Sequence, residues 1–268
     1  MLKIDYAEPT KPEVNVHIMS NKEYHEHSAI SSTTLGYMDE SFVHFDNRKL
    51  FKFGSKAMNL GTAFHTLTLE PEKFEEEFAI EPINAPKNTT IGKQKWEYFE
   101  ETLNGRTAIS NDDYEKAKVM ANNARVIGES LFNKTAQVEH SFIVTDPETG
   151  LLLKCRPDFL VSNEGILIDL KSTANADEYE LKKSISKYEY VRQLAFYIKV
   201  LEIAGINIKI AALFFTPTTA PHMPKIRYVD QRKIDEARQD IDTMLKSYAD
   251  YKAGNTQAKI AKLIEVFE

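Results

Sequence analysis

The 268-residue chain has a single cysteine, Cys155, which rules out an internal disulfide and any all-protein cysteine cluster for zinc or for iron and sulfur. Within an apolar run, Cys155 reads as a small core residue rather than a reactive thiol. No apolar run approaches the length that spans a bilayer, and the N-terminus lacks a secretory signal pattern. The expectation is a cytoplasmic protein with no membrane partner. An excess of positive charge is missing too: 34 Lys and Arg against 40 Asp and Glu leave a net charge of -6. That balance argues against a protein that coats nucleic acid over its whole surface, yet local basic groups and a bound metal could still answer a phosphate backbone. What is present suffices for a core, since 42% of the residues are hydrophobic and the length accommodates one large domain or two small ones.

The most informative stretch is Lys154 to Thr173. Arg156-Pro157-Asp158-Phe159-Leu160 leads through the turn formers Ser162-Asn163-Glu164-Gly165 into Ile166-Leu167-Ile168-Asp169-Leu170-Lys171-Ser172-Thr173. Two apolar runs around such a break predict neighbouring strands of a hairpin or bend. Alternation along the second strand sends Ile168 and Leu170 into a core and brings Asp169 and Lys171 out together on the other face. Asp158, at the proline-broken part of the first strand, can reach the same patch from the side. Two carboxylates and an ammonium around one point can hold a hard divalent cation, which makes a bound water more acidic and offsets charge on a phosphorus under attack. Lys171 can then orient that water or stabilise the developing charge. The bland alternative is an exposed ion pair on an edge strand, worth little energetically. The preceding Pro-Asp and the strongly apolar strands favour the site.

Elsewhere the pattern is coarser. Residues 1–20, with Pro9 and Pro12, suggest an extended arm or peripheral strand. His25 and His27 lack suitably spaced partners and read as surface or local capping groups. Ser31 to Thr34 offer hydroxyl caps to a short helical stretch through Phe42 and Phe45. Leu60 to Glu70, ending at Pro71, has helical periodicity with His65 in its middle, a core histidine or a ligand on that evidence alone. Phe74 to Phe132 reads as mostly helix, interrupted from Pro82 to Gly92. There Lys87, Lys93, Lys95, Trp96 and Tyr98 suit either nucleic-acid tracking or a solvent loop leading into a helix that buries Trp96. Asp113 to Leu131 reads as one amphipathic helix.

The sheet begins at Val138, with Glu139 starting a strand through Thr145; Glu139 can bring another carboxylate to the site or stand exposed at a strand end. Asp146 to Gly150 is a strong turn signal. After a polar stretch beyond Lys171, a helix from about Ser186 to Ala204 places Tyr190, Leu194, Tyr197 and Leu201 along one flank, with Gln193 one turn before Tyr197. Ile208 to Phe215 predicts a strand covered on both faces, Lys225 to Val229 an edge strand, and Ile234, Ile241, Leu245 and Tyr248 a closing amphipathic helix. Basic clusters at Arg48, Lys49, Lys52 and Lys56, and at Lys182, Lys183 and Lys187, are grips for a backbone or solvated faces.

Four motifs in order carry a resemblance: the Leu-Gly-Thr-Ala-Phe-His helix ending at His65, Arg156-Pro157-Asp158, Ile168-Asp169-Leu170-Lys171-Ser172-Thr173, and Gln193-Leu194-Ala195-Phe196-Tyr197. Together they resemble the RecB-like branch of the PD-(D/E)xK nuclease superfamily, with most likeness to the exonuclease VIII (RecE) type domain of phages and prophages. Tyr24-His25 and Ala29-Ile30-Ser31-Ser32 resemble the opening of that domain, so the likeness covers most of the chain. It implies an α/β, restriction-endonuclease-like core with a mixed central β-sheet flanked by helices, and Mg²⁺ or Mn²⁺ as cofactor. An iron-sulfur cluster, present in some related nucleases, is excluded by the lone cysteine.

Position by position, the resemblance implies metal-binding roles for His65, Asp158, Asp169 and Leu170, and catalytic roles for Lys171, Asp158, Asp169, Glu139, Gln193 and Tyr197. It further implies linear duplex DNA as substrate, degraded 5′ to 3′ in phage-type recombination, a homo-oligomeric ring, and a single-strand annealing protein as partner. The organisation expected is one nuclease domain over 1–268, with a mainly helical part at 1–135, a catalytic sheet core at 136–230 and a helical part at 231–268. Alternatives are a structure-specific or single-strand endonuclease on the same fold, and a non-catalytic DNA-binding or recombination assembly protein. The presence of Asp158, Asp169 and Lys171 together counts against the last.

Overall fold

A computed structural model describes residues 15–50 and 56–255. The chain passes through β1 (Asn15–His17), α1 (Asn21–Glu26), α2 (Ser32–Glu40), α3 (Phe42–Asp46), α4 (Lys56–Leu69) and α5 (Phe74–Glu77). It continues through β2 (Phe78–Ile80), α6 (Thr90–Thr102), β3 (Thr107–Ile109), α7 (Asn111–Ile127) and α8 (Glu129–Phe132). The sheet region follows as β4 (Gln137–Val138), β5 (Ser141–Thr145), β6 (Leu152–Cys155), β7 (Phe159–Val161) and β8 (Ile166–Thr173). Then come α9 (Glu178–Lys187), α10 (Tyr190–Ile203), β9 (Ile210–Pro217), β10 (Lys225–Tyr228) and α11 (Gln231–Lys252). Of the arm expected over residues 1–20 only the end is described, as β1, and Lys52 of the first basic cluster lies outside the described residues.

Five strands form the central sheet in the order β10-β9-β8-β7-β4, in which only β8 and β9 run parallel. A second sheet has the order β1-β5-β6, and β2 pairs β3. Helices cover the central sheet on both faces. Leu160, Leu167, Leu213 and Phe215 pack with Leu194 and Leu201 of α10 and with Ile241 and Leu245 of α11. On the opposite face Phe159, Ile166, Ile168, Leu170 and Phe214 pack with Phe64 of α4 and with Met120 and Ala124 of α7. The mixed sheet flanked by helices is the architecture expected from the motifs.

Local chemistry explains most boundaries. Ser20 and Glu23 close a capping box around the start of α1, with the Ser20 N–H donating to Glu23 Oε2 at 2.9 Å. Where one short helical stretch is expected through Phe45, there are two, because Ser41 turns extended and its hydroxyl accepts the His44 N–H at 3.1 Å, capping α3. Cys155 is fully buried in the main core, as its apolar context predicts. His27 acts as a local cap, its Nδ1 accepting the Ala29 N–H at 3.2 Å.

Several expectations need correction. The region from Phe74 to Phe132 contains β2 and β3, which pair in parallel from Phe78 opposite Thr107 to Ile80 opposite Ile109. Three-residue strands are too short to show a period of two. The helix expected over Asp113 to Leu131 begins at Asn111 and stops at Gly128, before the separate α8. The polar stretch after Lys171 holds α9, capped by Asp177, whose side chain accepts the Glu180 N–H at 2.9 Å. The helix expected from Ser186 is therefore α10 alone, starting at Tyr190. Trp96 is partly buried and donates from Nε1 to the Ala85 carbonyl at 2.9 Å, while Lys87 Nζ lies 3.8 Å from its ring centroid. Glu139 does not start a strand; it has φ 52° and sits between β4 and β5.

Candidate metal and catalytic site

The site lies where the two larger sheets part. β4 pairs β7 in the central sheet, whereas β5 pairs β6 in the second, so the chain changes sheet at Glu139–His140 and again at Arg156–Asp158. The two crossings touch, the Glu139 N–H donating to the Asp158 carbonyl at 3.4 Å. Glu139 makes its crossing in the left-handed region, a conformation unusual for a residue with a side chain and concentrated at functional sites. At the other crossing Pro157 offers no N–H to a ladder.

Pairing of β7 with β8 therefore runs from Val161 opposite Ile166 to Phe159 opposite Ile168 and goes no further. Asp158 takes the next position with its side chain: Oδ2 accepts the Leu170 N–H at 2.6 Å. Because the N–H and C=O of one strand residue project to the same edge, the Leu170 carbonyl faces this opening as well.

His65 enters from α4, its Nδ1 lying 3.7 Å from Asp158 Oδ2. One donor atom each from His65, Glu139 and Asp158 lies within 4.8 Å of the other two. Asp169 stands outside that trio. Its Oδ2 is 2.5 Å from Lys171 Nζ and its Oδ1 accepts from Gln193 Nε2 at 3.1 Å. Gln193 Oε1 accepts from Lys171 Nζ at 3.0 Å, and Gln193 Nε2 also reaches the Tyr197 hydroxyl at 3.0 Å. One amide thus presents its acceptor to the ammonium and its donor to the carboxylate, fixing both.

Alternation does place Asp169 and Lys171 together, but their face is not open as the sequence suggests. It lies under α10, and Asp169 is only 1% exposed. All eight implied positions gather here: His65, Glu139, Asp158 and Leu170 on one side, and Asp169, Lys171, Gln193 and Tyr197 on the other.

Three residues support the site in ways that the sequence pattern does not assign. Arg156 enters the sequence pattern only as part of a motif; its Nε pairs with Glu139 Oε2 at 3.1 Å, and its guanidinium lies 4.4 Å from the Tyr24 ring centroid and donates to Asn21 Oδ1 at 2.5 Å. In the segment Tyr24-His25-Glu26-His27 it is the tyrosine, not a histidine, that is buried. Lys154, also buried, donates to the carbonyls of Tyr24 and His27 and so ties α1 to the strand carrying Arg156. The available signal was a cation directly preceding a Pro-Asp break.

The electrostatics of the site disfavour several ionised carboxylates side by side. Burial pushes the Asp169 carboxyl up to about 6, with the Lys171 ammonium opposing and the Asp158 carboxylate reinforcing the rise. Burial likewise raises Asp158, and it raises Glu139 with help from the Asp158 charge. Desolvation, then Lys171, drives His65 down to about 4, keeping it neutral and able to donate an electron pair. Burial would lower Lys171, but Asp169 and Asp158 hold its ammonium above the ordinary range. Asp169 Oδ2, despite its close ion pair, has no aligned hydrogen bond. Buried oxygen donors that resist ionising together and one neutral imidazole fit a divalent cation.

A family model described as a PDDEXK-like domain of unknown function (DUF3799) matches residues 33–268. The chain belongs to this family. The superfamily read from the four motifs is thereby borne out. Among solved structures, a candidate exonuclease of Eubacterium rectale matches this PDDEXK-like domain with a TM-score of 0.57 and 11% identity, over 94% of this chain and 95% of its own. At that identity the likeness establishes the fold. A phage-related exonuclease of Haemophilus somnus 129PT gives a TM-score of 0.36 and 15% identity over 88% of this chain and 100% of its own, too loose a likeness to add to that. No curated protein matches the chain.

Proposed function

We propose that this PDDEXK-like domain is a divalent-metal-dependent deoxyribonuclease that degrades linear duplex DNA as an exonuclease. The observation carrying the proposal is the convergence of His65, Glu139 and Asp158 beside the Asp169–Lys171–Gln193 network. The E. rectale neighbour, itself described as an exonuclease candidate, shares the fold and adds support.

His65, Glu139, Asp158, Asp169 and the Leu170 carbonyl would hold Mg²⁺ or Mn²⁺. Such an ion supplies Lewis acidity toward a phosphoryl oxygen and makes a water acidic near neutral pH. The chain's own groups do the remainder. Lys171, kept protonated by its two carboxylate neighbours, faces the negative charge that builds on the phosphate oxygens. Gln193 and Tyr197 hold Lys171 and Asp169 in register, and the Leu170 N–H keeps Asp158 turned into the opening. Arg156 positions Glu139 from behind.

The motif resemblance extends the proposal to 5′ to 3′ polarity, a role in phage-type recombination, a homo-oligomeric ring, an annealing partner and a cytoplasmic setting. No described helix is long and apolar enough to cross a membrane. His65 comes from the helical first part and the carboxylates from the region that forms the sheets, which supports one nuclease domain over 1–268.

Digestion of end-labelled linear duplex and of closed circular duplex, each with Mg²⁺, Mn²⁺ or EDTA, tests the proposal. The linear DNA should disappear only with metal while the closed circle persists. Cutting of the circle would instead establish the endonuclease reading, and no cutting with either metal would leave a DNA-binding or assembly protein. Arg156→Met should lower the metal-dependent rate by about 10- to 100-fold, the usual effect of removing a group that orients a ligand. If initial rates match the parent's, Arg156 does not position Glu139.

A further inference from the structure

We propose that Tyr188 and Tyr190 form a platform on which an unpaired nucleobase stacks beside the site, so that the DNA strand engaged there is single-stranded. The proposal rests on the nuclease reading and deepens it by naming the state of the strand. Tyr190 is the fixed member. It packs into the main core, its ring centroid 5.9 Å from that of Phe215, and Lys171 Nζ lies 4.8 Å from the Tyr190 ring. Tyr188 stacks on Tyr190 with ring centroids 5.7 Å apart and planes inclined by 26°. Yet Tyr188 is 57% exposed, so packing does not account for an aromatic there. Two stacked rings thus lead from the Asp169–Lys171 pair to solvent.

The backbone between them is costly. Glu189 takes φ 50°, ψ 41°, and as the N-cap of α10 it makes no side-chain capping bond. The left-handed region is unfavourable for a residue other than glycine, and such conformations cluster at functional sites. In a continuous helix, positions two apart point to opposite sides, so a helix running through 188–190 could not stack these rings. The turn at Glu189 brings both to one side.

The surroundings suit a nucleotide. Lys187 Nζ lies 5.1 Å from the Tyr188 ring centroid, and Lys183 is exposed on the same helix, within a flexible side chain's reach of phosphates. Within a duplex each base face is covered by its neighbours, so an exposed ring can stack there only on a base that has left the helix. Stacking of this kind is tolerant of sequence, as an exonuclease requires.

The test measures binding without turnover. In the Asp169→Asn background, a labelled eight-residue oligothymidylate and the same strand bearing abasic sites are titrated while fluorescence anisotropy is followed. Tyr188→Ala should weaken oligothymidylate binding about ten-fold, Tyr188→Trp should retain it, and the abasic strand should bind parent and Tyr188→Ala equally weakly. Thermal melting should be the same for all, separating lost stacking from lost folding. Equal affinity of Tyr188→Ala and parent for oligothymidylate overturns the platform, as does undiminished binding of the abasic strand. Failure of the parent chain to cut DNA would sink the nuclease reading without touching this measurement.

Discussion

Asp169→Asn should reduce metal-dependent cutting of linear DNA on the order of a thousand-fold while leaving the fold intact. The amide has the shape of the carboxylate, so the packing beneath α10 is kept. What disappears is the charge: Oδ2 no longer offsets Lys171, and the centre loses one of its anionic oxygens for a cation. Asp169 is almost wholly buried, and burial already pushes its carboxyl up to about 6. The charge is expensive to bury but also offsets Lys171, which Asp158 continues to oppose, so the melting temperature should change far less than the rate. Initial rates on end-labelled duplex, alongside thermal melting, check both halves. A variant that cuts as fast as the parent would remove Asp169 from the chemistry.

The largest loss of stability should come from Lys199→Met. Lys199 lies in the middle of α10, and its Nζ is 3.1 Å from Asp146 Oδ1 and 2.9 Å from Asp242 Oδ1. The ammonium therefore ties α10 both to the turn after β5 and to α11. Lys199 and Asp146 side chains are 5% and 1% exposed, whereas that of Asp242 is 29% exposed. Without the lysine Asp146 is a buried, uncompensated carboxylate; Asp242 can still turn toward water. Breaking a buried pair in this way costs about 3–5 kcal/mol, and for a chain of this size the melting temperature should fall by roughly 10 °C. Replacing all three with apolar residues of similar volume should recover most of that loss, because the desolvation cost disappears with the charges. If Lys199→Met is as stable as the parent in denaturant titration, the ammonium is not what compensates Asp146.

Residues close together in sequence were legible because local chemistry governs them. The Asp169–Lys171 alternation, the turn at Gly165, the paired periods of α10 and α11 and the doubly covered β9 each follow from spacings shorter than a helix or strand. The short strands β2 and β3 were not, since each exists only by pairing with a partner some thirty residues away. α9 was hidden by its polarity, with Leu181 as its one fully buried residue.

The chain's own letters were enough to put Asp169 beside Lys171 and Gln193 beside Tyr197, because an Asp-x-Lys strand and a Gln-x-x-x-Tyr helix face place those side chains within one element's geometry. They could not say that Glu139 would adopt a left-handed turn, that Arg156 would stand behind it on Tyr24, or that Asp169 would lie beneath α10. Those facts depend on where two sheets part and which helix crosses the gap. Such choices are settled by burying apolar faces contributed by segments far apart in the chain, and no local pattern records them.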